Sequence, residues 1–378
     1  MKFVHLSDLH LGKRVNEFSM IEDQAYILTK ILGIIREERP DGVLIAGDIY
    51  DKSVPSVEAV SLFDDFLKQL SRQQTQVFII SGNHDSPERL GFASELIALS
   101  GIHIAPAYDG MVCPVSLEDG YGTVNVYMLP FIKPVHVRSA FPEEKAESYT
   151  EAVSAAIAHM DIREGERNIL IAHQFVTGAA RCESEDISVG GLDNVDASVF
   201  DAFDYVALGH IHGPQQIGRE SVRYCGTPLK YSFSEAKQRK SVTVAELKEK
   251  GNLGIRTVSL TPLRDLRELK GTYEELANRK NYEGTSLEDY LHITLTDEED
   301  IVDAVGKLRV IYPNLMKLDY DNRRTRENRE ITGGDEMEAK TPMELVREFY
   351  ERQNNQPMNG KQEALVSRLM EKIWEEKE

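Results

Sequence analysis

Short apolar runs, each cut off by a polar or glycine-containing turn, recur along the chain as far as Pro262. Runs of this length and branching predict buried strands. They fall at Lys2–Ser7, Gly42–Ala46, Val77–Ser81, Thr123–Leu129, Asn168–Ala172, Tyr205–Leu208, Ser221–Cys225, Ser241–Leu247 and Ile255–Leu260. Between several of them the apolar period lengthens to that of a helix. Ile21–Arg39 has apolar residues at 21, 27, 28, 31, 32, 34 and 35 and stops before Pro40, where a helix should end. Ser56–Arg72 places Val60, Phe63, Leu67 and Leu70 on one face, behind Ser56 as a predicted N-cap. Tyr149–His159 is Ala-rich and also predicts a helix. Strands and helices in this alternation predict an α/β fold: a two-sheet sandwich flanked by helices rather than one parallel sheet.

The texture changes after Pro262. A charged helix near Tyr273–Lys280, a strand Tyr290–Leu295, a helix Glu298–Ile311 and a strand Leu315–Tyr320 predict a small α+β domain. Asn328–Lys340 contains Gly333 and Gly334 and has no apolar period, so it predicts a linker. Thr341, Pro342 and Glu344 then make a helix start with a capping box. Leu345, Val346, Phe349 and Tyr350 form one stripe. Beyond the turn Asn354–Gly360, Leu365, Val366, Leu369, Met370, Ile373 and Trp374 form a second. A helical hairpin this small cannot bury two stripes by itself: it folds back on the domain before it or docks on a partner, and the linker before it favours the partner. The predicted segments are 1–262, 263–330, 331–340 and 341–378.

Composition narrows the class. With 41% hydrophobic and 28% charged residues, the 378-residue chain can bury a core and remain in water. No apolar run approaches the ~20 residues that span a bilayer. Met1-Lys2 leads straight into a strand, so no signal peptide is expected. Cys113, Cys182 and Cys225 are scattered and odd in number, which fits a reducing cytoplasm. A net charge of −19 argues against a free-standing, non-specific nucleic-acid binder. Bound divalent cations and a basic partner would offset it. Arg323, Arg324, Arg326 and Arg329 are a basic cluster within this acidic background, expected as a solvated loop, with a DNA-phosphate contact as the alternative.

The candidate chemistry sits at five strand ends: Asp8-Leu-His10, Gly47-Asp48-Ile-Tyr-Asp51, Gly82-Asn83-His84-Asp85, His173, and Gly209-His210-Ile-His212. Any one alone has an ordinary reading as a tight turn of residues that tolerate the left-handed region. Five in series point instead to imidazoles, carboxylates and an amide oxygen gathered where parallel strands end. Such a set suits two divalent metals, Mn²⁺ or Fe²⁺ rather than Ca²⁺ or Mg²⁺, which favour oxygen-only shells. The remaining histidines His5, His103, His136, His159 and His292 lack ligand company. The chain also lacks a Gly-rich Lys-Ser/Thr phosphate loop, so any ATP hydrolysis belongs to another chain.

In this order the motifs resemble the calcineurin-like metallophosphoesterase superfamily. With Tyr224-Cys-Gly-Thr-Pro228 and Tyr231-Ser-Phe-Ser234 they resemble its bacterial SbcD nuclease-subunit branch. The resemblance implies that Asp8, His10 and His212 hold one metal, that Asn83, His173 and His210 hold the other, and that Asp48 bridges them. It implies Mn²⁺ as the metal and in-line attack of water on phosphorus. His84 would stay off the metals and stabilise the phosphoryl group or protonate the leaving oxygen, with Asp85 or Asp51 orienting it. Asp51 stands where archaeal and eukaryotic relatives carry a histidine. The resemblance further implies a homodimer, 3′→5′ exonuclease action on duplex DNA and endonuclease action on single strands and hairpins. ATP dependence would come through an SbcC-like ATPase docked on 341–378. The alternative is a phosphoesterase with the same centre acting on a small molecule or phosphoprotein.

Overall fold

The computed structural model describes residues 1–185, 194–323, 325, 343, 346, 347, 349, 350 and 358–375, the side chains of 371–375 excepted. The chain forms two compact units, Met1–Leu295 with Ile301–Asp319, and Thr296–Asp300 with Tyr320–Glu378.

The first unit is built on two six-stranded sheets. One contains β1 (Lys2–Leu6), β4 (Gly42–Ala46), β5 (Gln76–Ile80) and β6 (Ile102–Ala105) in parallel, with β13 (Ser241–Leu247) and β14 (Leu253–Ser259) added antiparallel beside β1. The other has a parallel centre of β8 (Gly122–Leu129), β9 (Arg167–His173), β10 (Tyr205–Gly209) and β12 (Arg219–Tyr224). Its edges are β7 (Val115–Asp119) and β11 (Gln215–Ile217), both antiparallel. A hairpin of β2 (Arg14–Val15) and β3 (Phe18–Ser19) follows β1.

The alternation along each strand explains the layers. Phe3, Leu44, Ala46, Phe78 and Ile80 point inward and meet Val124, Val126, Ile169, Ile171, Tyr205 and Ala207 of the other sheet in a dry core. Val4, Leu6, Val43, Ile45, Val77 and Ile79 point outward, against α1 (Ile21–Glu38) and α2 (Val57–Arg72). Leu170, Ala172, Val206 and Leu208 do the same for the helix Tyr149–Ala158 on the far side. With both strand faces buried, the strands read as continuous apolar runs. The predicted two-sheet sandwich is therefore the observed one. Ser56 caps α2 as expected, accepting from the Ala59 amide.

After Pro262 a three-stranded sheet forms from β15 (Leu266–Gly271), β16 (Tyr290–Leu295) and β17 (Leu315–Tyr320). The predicted helix Tyr273–Lys280 is broken at Asn278, whose extended backbone separates Tyr273–Ala277 from Arg279–Tyr282. The predicted helix Glu298–Ile311 shortens to Ala304–Arg309, because Asp303 turns into the left-handed region at φ 52° and caps Gly306.

In the second unit a helix spans Gly360–Glu375, with the Asn359 carboxamide oxygen accepting from the amides of Lys361 and Gln362 at 3.1 Å each. Residues 343, 346, 347, 349 and 350 are helical. Gln362 donates to the Tyr350 hydroxyl at 2.7 Å and Arg347 pairs with Glu363 at 2.8 Å, as a hairpin requires. The predicted capping box at Thr341, Pro342 and Glu344, the linker 331–340, and Arg324, Arg326 and Arg329 lie outside the described residues. Among the described residues no helix is long and apolar enough to cross a membrane.

Candidate metal centre

The parallel strands of both sheets deliver the five motifs to one edge. Asp8 and His10 follow β1, Asp48 and Asp51 follow β4, and Asn83, His84 and Asp85 follow β5; His173 ends β9, and His210 and His212 follow β10. The loops after β1 and β4 stay zipped beyond the sheet: the amide of Asp8 donates to Gly47, His10 to Asp48 and Leu11 to Ile49 at 2.9–3.0 Å. The backbone is left-handed at Asp8 (φ 52°), His10 (φ 43°) and Asp48 (φ 49°), and His210 lies at φ 104°. Non-glycine residues in such regions cost of order 1–3 kcal/mol each and persist where the surroundings dictate them. Here the strain falls on four of the candidate ligands.

The side chains converge. Ligand atoms of Asp8, His10 and His212 lie within 4.8 Å of one another, as do those of Asp8, Asp48 and His173, and those of His10, Asp48 and His84. His10 Nε2 is 3.1 Å from His212 Nε2. Asn83 Oδ1 is 3.0 Å from both His173 Nε2 and His210 Nδ1. Asp48 Oδ2 stands 3.4 Å from His173 Nε2 and 3.7 Å from His10 Nε2, within reach of both groups. All seven sequence-predicted ligands meet at this edge.

This donor set fits divalent cations. His10 Nδ1 is buried without a hydrogen-bond partner among the described residues, and its other nitrogen faces another imidazole nitrogen rather than a carbonyl. Buried ring nitrogens and carboxylates gathered this closely suit a cation among them.

The electrostatics of the cluster point the same way. Burial raises the Asp8 carboxyl above its usual range, against the pull of His173 and His212. Burial would also raise Asp48, but His173, His10 and His84 hold it well below that range. Burial lowers His10 strongly and His210 to about 3. Burial opposes charge on His173 too, yet Asp48 and then Asp8 lift it to about 9.

The remaining predicted residues divide differently from expectation. His84 lies beside the ligands, with Nε2 3.9 Å from Asp48 Oδ2 and a ring 21% exposed. Its Nδ1 bonds the main-chain carbonyl of Asp51 at 3.1 Å, and its amide donates to Asp48 Oδ1 at 2.9 Å. The carboxylates of Asp85 and Asp51, predicted as its orienters, are committed elsewhere. Asp85 accepts from the amides of Gly82, Ile49 and Tyr50 at 2.9–3.1 Å, pinning the β5 turn to the β4 turn. Burial, with Asp48 adding to it, pushes Asp85 up to about 6. The Asp51 carboxylate pairs with Lys13 at 2.7 Å. The oxygen bonded to His84 Nδ1 is a backbone one, which no side-chain motif can announce.

Sequence reasoning passed over the supports of His10 and His212. Gln24 donates to the His10 carbonyl at 2.7 Å and the Tyr231 hydroxyl to the Leu9 carbonyl at 2.6 Å. Ser184, Glu185 and Glu235 surround His212. An acid at 235 directly after Tyr231-Ser-Phe-Ser234, with Lys240 close behind, is the signal that could have found one of them. The other histidines stay outside the cluster: His103 stacks on Phe78, His159 on Phe141, and His292 pairs with Asp319.

Comparison with known proteins places this geometry. Residues 1–214 match the calcineurin-like phosphoesterase family. The SbcD polypeptide of the SbcCD nuclease from Staphylococcus saprophyticus is 33% identical across 100% of this chain and 99% of its own length. This chain belongs to the SbcD family of calcineurin-like phosphoesterases. A second SbcD relative, from Staphylococcus epidermidis, is 32% identical over 98% of each chain. Residues 262–354 match a family described as the type 5 capsule protein repressor C-terminal domain. A solved dimetal phosphatase from Danio rerio is 14% identical, with a TM-score of 0.43 over 70% of this chain and 98% of that one. As a metallophosphoesterase this SbcD-family chain is a phosphodiester hydrolase of a dimetal-dependent family, and the structure gathers acids and imidazoles that could hold metal ions.

Proposed function

We propose that this chain is the metal-dependent DNA nuclease subunit of an SbcC–SbcD type complex. It works as a 3′→5′ exonuclease on duplex DNA and an endonuclease on single strands and hairpins, in repair, recombination and replication in the cytoplasm. The reading rests above all on the convergence of six strand-end donors around Asp48, in a chain whose SbcD relatives match it from end to end.

Asp8, His10 and His212 would hold one cation and Asn83, His173 and His210 the other, with Asp48 in reach of both groups. The mixed nitrogen and oxygen donors suit Mn²⁺ or Fe²⁺, and the family resemblance favours Mn²⁺. When bound, the two ions neutralise charge on the phosphoryl oxygens and lower the pKa of the attacking water. The protein supplies the rest. Because the Asp51 carbonyl can only accept, His84 keeps hydrogen on Nδ1 and turns Nε2 to the site. A proton on that Nε2 passes to the leaving oxygen, a step worth typically ~10²–10⁴ in rate. Asp48 also accepts from the His84 amide, so the acid and the bridging carboxylate share one anchor.

The segments 1–262, 263–330, 331–340 and 341–378 act as nuclease domain, capping domain, linker and docking hairpin for the ATPase partner, which confers ATP dependence. Two copies of the chain assemble with it. The test is hairpin DNA with the purified chain and Mn²⁺, with and without the ATPase. Cleavage lost in His84→Ala while bound metal is retained supports the reading. Absence of cleavage by the unaltered chain, even with the partner, sinks it.

A further inference from the structure

His212 is held at every polar atom but one. Its amide donates to Glu185 Oε1 at 2.7 Å. Its carbonyl oxygen accepts from the Thr227 amide at 3.1 Å and from Lys240 Nζ at 2.9 Å. Its Nδ1 lies 2.7 Å from Ser184 Oγ. The remaining atom, Nε2, faces His10 Nε2 in the candidate metal centre.

The direction of these bonds follows from who can donate. Glu235 is fully buried and one of its oxygens lies 2.5 Å from Lys240 Nζ, so it is a carboxylate that can only accept. Its other oxygen is 2.6 Å from Ser184 Oγ. Ser184 has a single hydroxyl hydrogen, and that hydrogen goes to Glu235. Toward His212 the same hydroxyl can then only accept, so His212 carries its hydrogen on Nδ1. Nε2 is left with its lone pair aimed at the cluster, the form a metal ligand must have.

We propose that Ser184 and Glu235 are positioning residues of the metal centre, a hydroxyl–carboxylate relay that locks His212 in its cation-binding tautomer. Lys240 neutralises the relay at its inner end and ties the same histidine's carbonyl. The adjacent residues Ser184 and Glu185 grip the ring and the backbone of His212 together, so one short segment sets the ligand's position. The proposal rests on the metal-centre reading above, and its test separates the two.

The first measurement needs no metal. In metal-stripped protein labelled with ¹⁵N-histidine, His212 is expected as the single Nδ1–H tautomer, and as a mixture in Ser184→Ala. The second is Mn²⁺ titration calorimetry. Ser184→Ala is expected to bind one of two equivalents about 10–100-fold more weakly, the usual cost of losing an outer partner of a metal-bound histidine. Glu235→Gln, whose amide can donate as well as accept, is expected to lose the fixed direction in the same way. Ser184→Thr keeps the hydroxyl and is expected to restore both readouts. A single tautomer together with unchanged Mn²⁺ affinity in Ser184→Ala overturns the relay. Failure of the unaltered protein to bind two Mn²⁺ overturns the metal-centre reading instead, and the tautomer measurement still judges the relay.

Discussion

His173, at the end of β9, gives its Nδ1 hydrogen to the carbonyl oxygen of Ala46, at the end of β4, across 2.8 Å. The two strands belong to different sheets, so this bond stitches the sandwich at the edge where the five motifs meet. It also turns His173 Nε2 toward Asn83 and Asp48. The seam is tight: a Cβ on Gly209 would lie 1.8 Å from the Ala46 oxygen and 2.7 Å from His173 Nδ1.

Gly209→Ala therefore forces the sheets apart at the ligands. The obstacle is backbone, which cannot swing aside as a long side chain would. A loss of about 3 kcal/mol in urea unfolding is expected, at the upper end for overpacking. Mn²⁺ stoichiometry should fall below that of the unaltered protein in parallel. Unaltered stability with full metal binding would show that the seam can relax.

Asp48 and His84 touch through one hydrogen bond yet should behave oppositely. Asp48→Ala removes the carboxylate in reach of both ligand groups, and both cations should be lost on desalting. His84→Ala leaves the seven candidate ligands in place, so two equivalents should stay bound while phosphodiester turnover falls by ~10²–10⁴. Elemental analysis beside a rate measurement separates the two. Equal metal loss in both variants would make His84 a ligand.

What the sequence revealed follows burial. Strands covered on both faces carried unbroken apolar runs and were legible within a residue or two. Those it passed over are edge or one-sided strands: β7, Val115-Ser-Leu-Glu-Asp119, alternates, and β15, Leu266-Arg-Glu-Leu-Lys-Gly271, is mostly charged. The candidate ligands were legible because parallel strands end at a common edge, whatever their distance in sequence. Ser184 and Glu185 were not, because nothing in their own segment marks a loop that returns to His212. Asp85 misled as a candidate partner of His84, since a carboxylate that caps backbone amides has the same letter as one that orients an imidazole.

His5 makes the acid limb of stability specific. It sits wholly buried in β1, its ring nitrogens 2.9 Å from the Tyr205 hydroxyl and 3.2 Å from the Leu208 carbonyl. Burial, with the Arg223 charge adding to it, lowers it to about 3 from 6.5. The unfolded chain thus takes up a proton below pH 6.5 that the folded chain refuses until near pH 3, and stability falls as pH drops through that window. At pH 5 the loss from this one group is about 2 kcal/mol. Urea unfolding of metal-stripped protein at about pH 7.5 and about pH 5 should show it, and His5→Gln should remove that share of the difference. An identical pH slope in the variant would assign the acid sensitivity to other groups.

The helix Gly360–Glu375 leaves Leu365 and Leu369 53% and 51% exposed, one turn apart on the same face, and Phe349 in the same compact unit is 66% exposed. Apolar side chains one turn apart on an exposed helix are the pattern by which an amphipathic helix anchors in a partner's groove. Under the proposed function that partner is the SbcC-like ATPase. Leu365→Glu with Leu369→Glu keeps strong helix formers at both positions, so the helix itself should persist. A buried interface anchor is typically worth ≥ ~2 kcal/mol, and losing two should weaken association by roughly 10³-fold. Co-elution of the two chains on a sizing column checks this directly. Mn²⁺ binding and metal-dependent phosphodiester turnover by the isolated chain should be unchanged, since neither leucine belongs to the unit that carries the metal centre. Undiminished co-elution of the doubly substituted chain would move the docking surface off this helix.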